Sequence, residues 1–190
     1  MDTLTALTTR VSVARLTEPG PSDGQIRRLL QAAIRAPDHG MIRPWRFLVL
    51  QGEAREQLAD IMEWRLLRRQ PDADQCARDN IRNKALRAPT IIVAVAEIAE
   101  GHKIPAWEQV LAVGAAVQNI MVAAHAQGIG AMWRTGDLAN DDTVKARLGF
   151  ADKDQVVGFV YLGTPAGTVK AVPDENPETF LRQLPRREPR

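Results

Sequence analysis

Three short polar clusters carry the residue types that site chemistry would need. The first is Arg10-Val11-Ser12. A guanidinium and a hydroxyl near a helix end suit a phosphate, whose oxygens accept charge-assisted hydrogen bonds. A solvated arginine beside an ordinary turn serine is the plain alternative. The second is Arg35-Ala36-Pro37-Asp38-His39, followed by Arg43-Pro44-Trp45-Arg46-Phe47. There a helix ends, a tight loop crosses and a strand begins, and such loops put polar groups at the mouth of a site. The same residues also read as Arg35 in solvent, Asp38 closing a turn and Trp45 filling core. The third is Trp133-Arg134-Thr135-Gly136, directly after an apolar run. A tryptophan at a strand end can wall a flat ligand, and the arginine and threonine can take an anion or a polar edge. A core tryptophan next to a surface arginine is equally compatible.

The elements that position these clusters follow from periodicity. Asp2 to Arg10 predicts a short helix with Leu4, Leu7 and Val11 on one face. Ser22-Asp23-Gly24-Gln25 has the form of a capping box, and Ile26, Leu29, Leu30, Ala33 and Ile34 then recur at helical spacing until Pro37 stops the helix near Ala36. Trp45 to Leu50 reads as a strand and Glu53 to Arg69 as a helix. Residues 74 to 87 are highly charged and predict an exposed, mobile helix. Thr90 to Ala96 holds Ile91, Ile92, Val93, Ala94 and Val95 without a break, which implies burial on both faces. From Pro105 to Gly128 almost no polar face remains. A helix apolar all round belongs in the middle of a domain or at a subunit interface. Ala131 to Arg134 predicts a short strand, Asn140 a cap for a helix carrying Val144 and Leu148, and Gln155 to Leu162 the last strand. The order predicts one mixed α/β or α+β domain.

Composition prunes the function classes. A chain of 190 residues fits a single domain, residues 1–190, with 166–190 as an irregular tail that lies on something else, a second copy among the options. Apolar residues make up 45% and charged residues 25%, which disfavours disorder and fibrous repeats. Cys76 is alone, so an internal disulfide and a thiolate zinc site are excluded, and a reducing cytoplasm is the expected compartment. No basic leader opens the chain, and the longest apolar run, Val110 to Val117, falls short of the ~20 residues of a membrane span. A soluble protein with no membrane partner is expected. The 25 basic and 23 acidic residues nearly cancel. A nucleic-acid module would rest on the abundant arginine and the end Pro185–Arg190, but acidic residues are interspersed and no stacking platform stands out. Walker, HExxH and GxSxG motifs are missing, and Gly128-Ile129-Gly130 follows a helix rather than a strand, outside the context of a dinucleotide fingerprint. Three histidines (39, 102 and 125) without a carboxylate pattern predict no metal.

Taken together, the three clusters resemble the nitroreductase superfamily of flavoproteins, and most nearly its small YdjA-like branch of NAD(P)H nitroreductases. The resemblance runs from about Asp2 to Pro165. It is carried by RAPDHGMIRPWRFLVL (35–50), HKIPAWEQVLAVGAAVQNIMVAAHAQGIGAMWRTG (102–136) and VVGFVYLGTP (156–165). It implies an α+β fold with a central mixed, mainly antiparallel sheet flanked by helices and a long buried central helix at a dimer interface. It also implies an FMN-dependent oxidoreductase. Such an enzyme takes hydride from NADH or NADPH and reduces a nitroaromatic, quinone or enone acceptor by a ping-pong mechanism. An FMN carrier or sensor without efficient turnover is the alternative.

By the same resemblance FMN lies in the interface of a homodimer. Arg10, Val11 and Ser12 of one chain fall at its phosphate and ribityl end, Arg35 and His39 at the flavin contacts of the other chain, and Trp133, Arg134 and Thr135 at a further contact. The stretch Ala123, Ala124, His125, Ala126, Gln127 and Gly128 matches a segment proposed to meet the nicotinamide nucleotide. Lys170 in the tail is a further candidate for the phosphate. Two positions depart from the pattern. Val11 stands where the family typically has a second arginine, and Arg43 where it often has a polar amide.

Overall fold

The computed structural model describes residues 1–184. Its elements are α1 (Thr3–Thr9), β1 (Leu16–Thr17), α2 (Asp23–Ala33), β2 (Trp45–Gln51), α3 (Glu53–Arg69), α4 (Gln75–Ala85), β3 (Thr90–Ala96), α5 (Ala106–Ala126), β4 (Gly130–Arg134), α6 (Asp142–Arg147) and β5 (Gln155–Pro165). The order is the expected one with β1 added. Its two residues pair with Thr164 and Pro165 and are too few to show an alternation.

The strands run β2–β3–β5–β4, with β1 on the far end of β5. Each pairing is antiparallel. Strand β3 is buried along its whole length, because successive side chains point to opposite faces and both faces are covered. Ile92, Ala94 and Ala96 join Val160 and Leu162 against α2 and α5. Ile91, Val93 and Val95 join Phe159 and Tyr161 against α3 and α4. The fold is thus helices, sheet, helices, an α+β arrangement.

Helix α2 starts at the predicted capping box: the Ser22 side chain accepts from the Gln25 N–H, and the Gln25 side chain accepts from the Ser22 N–H. It then runs antiparallel to α5, as three bonds fix. Arg28 donates to Gln127, the Asn119 amide donates to the Ala32 carbonyl, and His39 meets Glu108.

Helix α4 is largely exposed, as its charge predicts, and two of its arginines are paired: Arg78 with Glu63 at 2.6 Å, and Arg82 with Glu63 at 2.8 Å and with Asp60, both carboxylates on α3. These two arginines are matched across the helix pair, and Ala85 is buried beneath them. Helix α6 is capped by Asp141, not Asn140, since it is the Asp141 carboxylate that reaches the Thr143 and Val144 N–H groups.

Helix α5 is long and apolar enough, by length and composition alone, to cross a membrane. Here one face, with Val113, Ala116, Val117, Ile120 and Ala124, packs in the core. The other leaves Trp107 62% and Leu111 61% exposed, so a single chain does not use the whole apolar surface. Residues 167–184 are exposed throughout. The basic end Pro185–Arg190 lies outside the described residues.

Candidate functional site

The first cluster lies where α1 meets the C-terminal end of α5. After Arg10 the chain runs alongside β4, with the Val13 N–H donating to the Ala131 carbonyl at 2.9 Å. Helix α5 closes at Gly128, whose φ of 72° is open to glycine at little cost. Between them lies a recess of about 280 Å³, lined by Arg10, Val11, Met121, His125, Gly128 and, from the tail, Val169. His125 shares a hydrogen bond with the Thr9 hydroxyl at 2.9 Å. The Arg10 Nη1 is buried and has no hydrogen-bond partner. An unpaired buried cation donor is costly, so this nitrogen fits an anion in the recess. Ser12 is exposed beside it. Of the stretch 123–128, Ala124 is buried in the core and Gln127 is held by Arg28, while Ala126 and Gly128 are exposed.

The second cluster sits at the other end of α5. Arg35 follows α2 and is exposed. His39 opens a tight turn, and its Nδ1 lies 2.7 Å from the Glu108 carboxylate on the first turn of α5. Arg43 takes a φ of 54°, and its N–H donates to the Asp38 carboxylate, the turn bond that the plain reading gave Asp38. An apolar hollow of about 330 Å³ opens here between Pro37, His39, Trp107, Leu111 and Ala115. His39 touches α5 at residue 108 and Thr9 touches it at 125. Seventeen residues of helix span about 25 Å. One chain therefore holds its first and second clusters too far apart to grip one small ligand.

The third cluster ends β4, and its residues diverge. Trp133 lies across β5 on the α5 side of the sheet, with its indole N–H donating to the Val157 carbonyl at 3.3 Å. Val157 is the extra residue of a bulge opposite Ala94 and Val95, which frees that carbonyl from the ladder. Gly158 makes room: any Cβ there would collide with the indole Nε1. The ring stays 38% exposed and can wall a flat ligand. Arg134 points the opposite way, toward α3 and α4, over the Tyr161 ring at 5.9 Å. The structure thus separates the Arg134 guanidinium from the face that carries Arg10 and Trp133. Thr135 and Gly136 are exposed where β4 turns away.

Sequence reasoning did not find Tyr161, Arg87 or Lys84, which surround Arg134 in a recess of about 450 Å³. They are scattered along the chain, and no spacing links them. Burial pushes the Tyr161 phenol up, against the pull of Arg87 and Arg134. Among the described residues no group of three or more His, Cys, Asp or Glu is placed to hold a metal ion.

Comparison with known proteins places this arrangement. The sequence model of the Nitroreductase family matches residues 7–164. The YdjA protein of Escherichia coli (strain K12), named as a candidate NAD(P)H nitroreductase, is 43% identical over 180 residues, covering 93% of this chain and 97% of that protein. The nitroreductase-like family protein of Bacillus cereus has the same fold, with a TM-score of 0.82 at 20% identity over 97% of this chain and 96% of that one. A nitroreductase-type protein of Desulfovibrio desulfuricans, solved in complex with FMN, aligns with a TM-score of 0.72 at 25% identity, covering 97% of this chain and 98% of that one.

Proposed function

The chain belongs to the nitroreductase family, and from that premise we propose that it is an FMN-dependent oxidoreductase working as a homodimer, with NADH or NADPH as donor. The observation that carries this reading is the buried, unpartnered Nη1 of Arg10, a side chain that lines the recess beside His125 and Gly128. It fits the phosphate of FMN, with Ser12 and the Val11 backbone beside it and Lys170 next to Val169 as a further cation.

When bound, FMN supplies two-electron hydride chemistry that no side chain here can provide. The chain's own residues bind and orient. Trp133 walls the ring on the α5 side of the sheet, and the exposed backbone at Thr135 and Gly136 offers donors to its polar edge. Arg35 and His39 of the partner chain complete the site, because within one chain the α5 residues that His39 and Thr9 bond lie about 25 Å apart. Two copies of α5 packed antiparallel through Trp107 and Leu111 bring the first cluster of one chain to the second of the other. That packing also covers the apolar face left bare in a single chain, and the tail 166–184 lies along the second copy. The nicotinamide donor enters near Ala123–Gly128, through the exposed Ala126 and Gly128. Donor and acceptor use one cleft in turn, which gives ping-pong kinetics. Arg43, exposed near His39, favours acceptors that carry negative charge.

The test is an absorption spectrum of the purified protein, identification of the released chromophore, and oxidation of NADH and NADPH with a quinone or nitroaromatic acceptor. FMN with turnover is expected. A protein that holds FMN and turns over no acceptor is a carrier or sensor. A colourless protein that refuses added FMN contradicts the reading.

A further inference from the structure

The recess that receives Arg134 lies on the opposite face of the sheet from Arg10. Its floor is Tyr161, which belongs to the layer beneath α3 and α4, whereas the Arg10 recess is built on Ala131 and α5. Around the hollow stand Arg65, Lys84, Arg87 and Arg134, against the single carboxylate of Asp137. Arg65 is already committed to Asp141 at 2.5 Å. Among the described residues no carboxylate lies within 4.0 Å of Lys84, Arg87 or Arg134, although the neighbouring Arg78 and Arg82 on α4 are both paired.

Three unpaired cations facing one concavity repel one another, and a polyvalent anion relieves that repulsion while accepting their hydrogen bonds. Tyr161 adds a donor. Tyr161 lines the hollow, and its phenol is protonated at neutral pH as an ordinary tyrosine is. Met62, Ile81 and Leu138 add an apolar stretch of wall that suits a carbon skeleton attached to the anion. The volume of about 450 Å³ lies in the range of small-molecule sites.

We propose that the recess between α3, α4 and the end of β4 binds a small organic phosphate, with Lys84, Arg87 and Arg134 on the phosphoryl group and Tyr161 donating from the floor. The recess shares Trp133, Thr135 and Gly136 of its rim with the flavin reading, but its cations stand on the other face of the sheet and the proposal does not require flavin to bind.

Calorimetric titration of the full-length protein as purified tests this with 5′-AMP, adenosine and inorganic phosphate as probes. The expected result is binding of AMP, weaker binding of phosphate and none of adenosine. Lys84→Ala and Arg87→Ala each weaken AMP by roughly tenfold or more, with the fold by circular dichroism unchanged. No AMP binding by the wild-type protein overturns the proposal. So does wild-type AMP affinity in both recess variants, or a loss matched by a remote charge control such as Lys103→Ala.

Discussion

Arg10 is the residue on which the account turns. Its Nη1 has neither protein partner nor water-facing surface, so the folded chain carries an unsatisfied donor that an anion would satisfy. Arg10→Ala is expected to weaken FMN by tenfold to a hundredfold, the worth of a charge-assisted bond of about 1.5–3 kcal/mol, while the FMN-free protein melts no lower than wild type. Equilibrium dialysis and thermal melts of the cofactor-free proteins check both halves. A cation that is merely structural would instead lower the melting point. Asp141 makes a different residue-scale prediction. Burial alone would raise its pKa, but bonds from Thr143, Arg65 and the Val144 N–H outweigh that and hold it at about 2, from a usual 3.8. A depressed carboxylate stabilises the fold above its unfolded pKa, and the contribution disappears as pH falls from about 4 toward 2. In urea titrations Asp141→Asn should therefore cost stability at pH 7 and nearly nothing near pH 2. The sequence showed Arg10, Ser12, Arg35, His39 and Trp133 as candidates, but it could not show where their side chains point. Arg134 demonstrates the loss. It stands next to Trp133 in sequence and, through strand alternation, on the other face of the sheet.

The elements were legible wherever a period is sustained. The capping box at Ser22, the unbroken run of β3 and the long apolar α5 each have a local cause that a sequence displays. What escaped has a non-local cause. Charges on α4 look solvated until α3 supplies Glu63 and Asp60, and β1 exists only because Thr164 and Pro165 lie beside it. The bulge at Val157 is of the same kind, set by register against β3. It matters because it places the carbonyl that holds Trp133 over Gly158. Gly158→Ala is expected to cost about 1–3 kcal/mol through the collision with the indole. The indole's share of that cost should vanish in a Trp133→Ala background, as a double-mutant cycle in urea would measure, while a remainder set by the Arg134 carbonyl, 2.9 Å from the same Cβ, persists. A cost that survives the second substitution undiminished would assign the glycine to the backbone alone.

At the scale of the whole molecule, α5 is a ruler with an uncovered apolar face. It spaces the Arg10 end from the His39 end by about 25 Å, and it leaves Trp107 and Leu111 bare. Both facts point to a site shared by two copies, a conclusion that needs the length of the folded helix and the family resemblance together. The most direct test is FMN stoichiometry in a mixed dimer. One chain carries Arg10→Ala, the other Arg35→Ala with His39→Ala, and differently tagged copies are purified together. Neither parent dimer should retain FMN tightly, whereas the mixed dimer should regain one FMN per two chains, because one of its two sites is built wholly from intact residues. A mixed dimer that binds no better than its parents would mean that each chain grips its cofactor alone, and the shared site would be wrong.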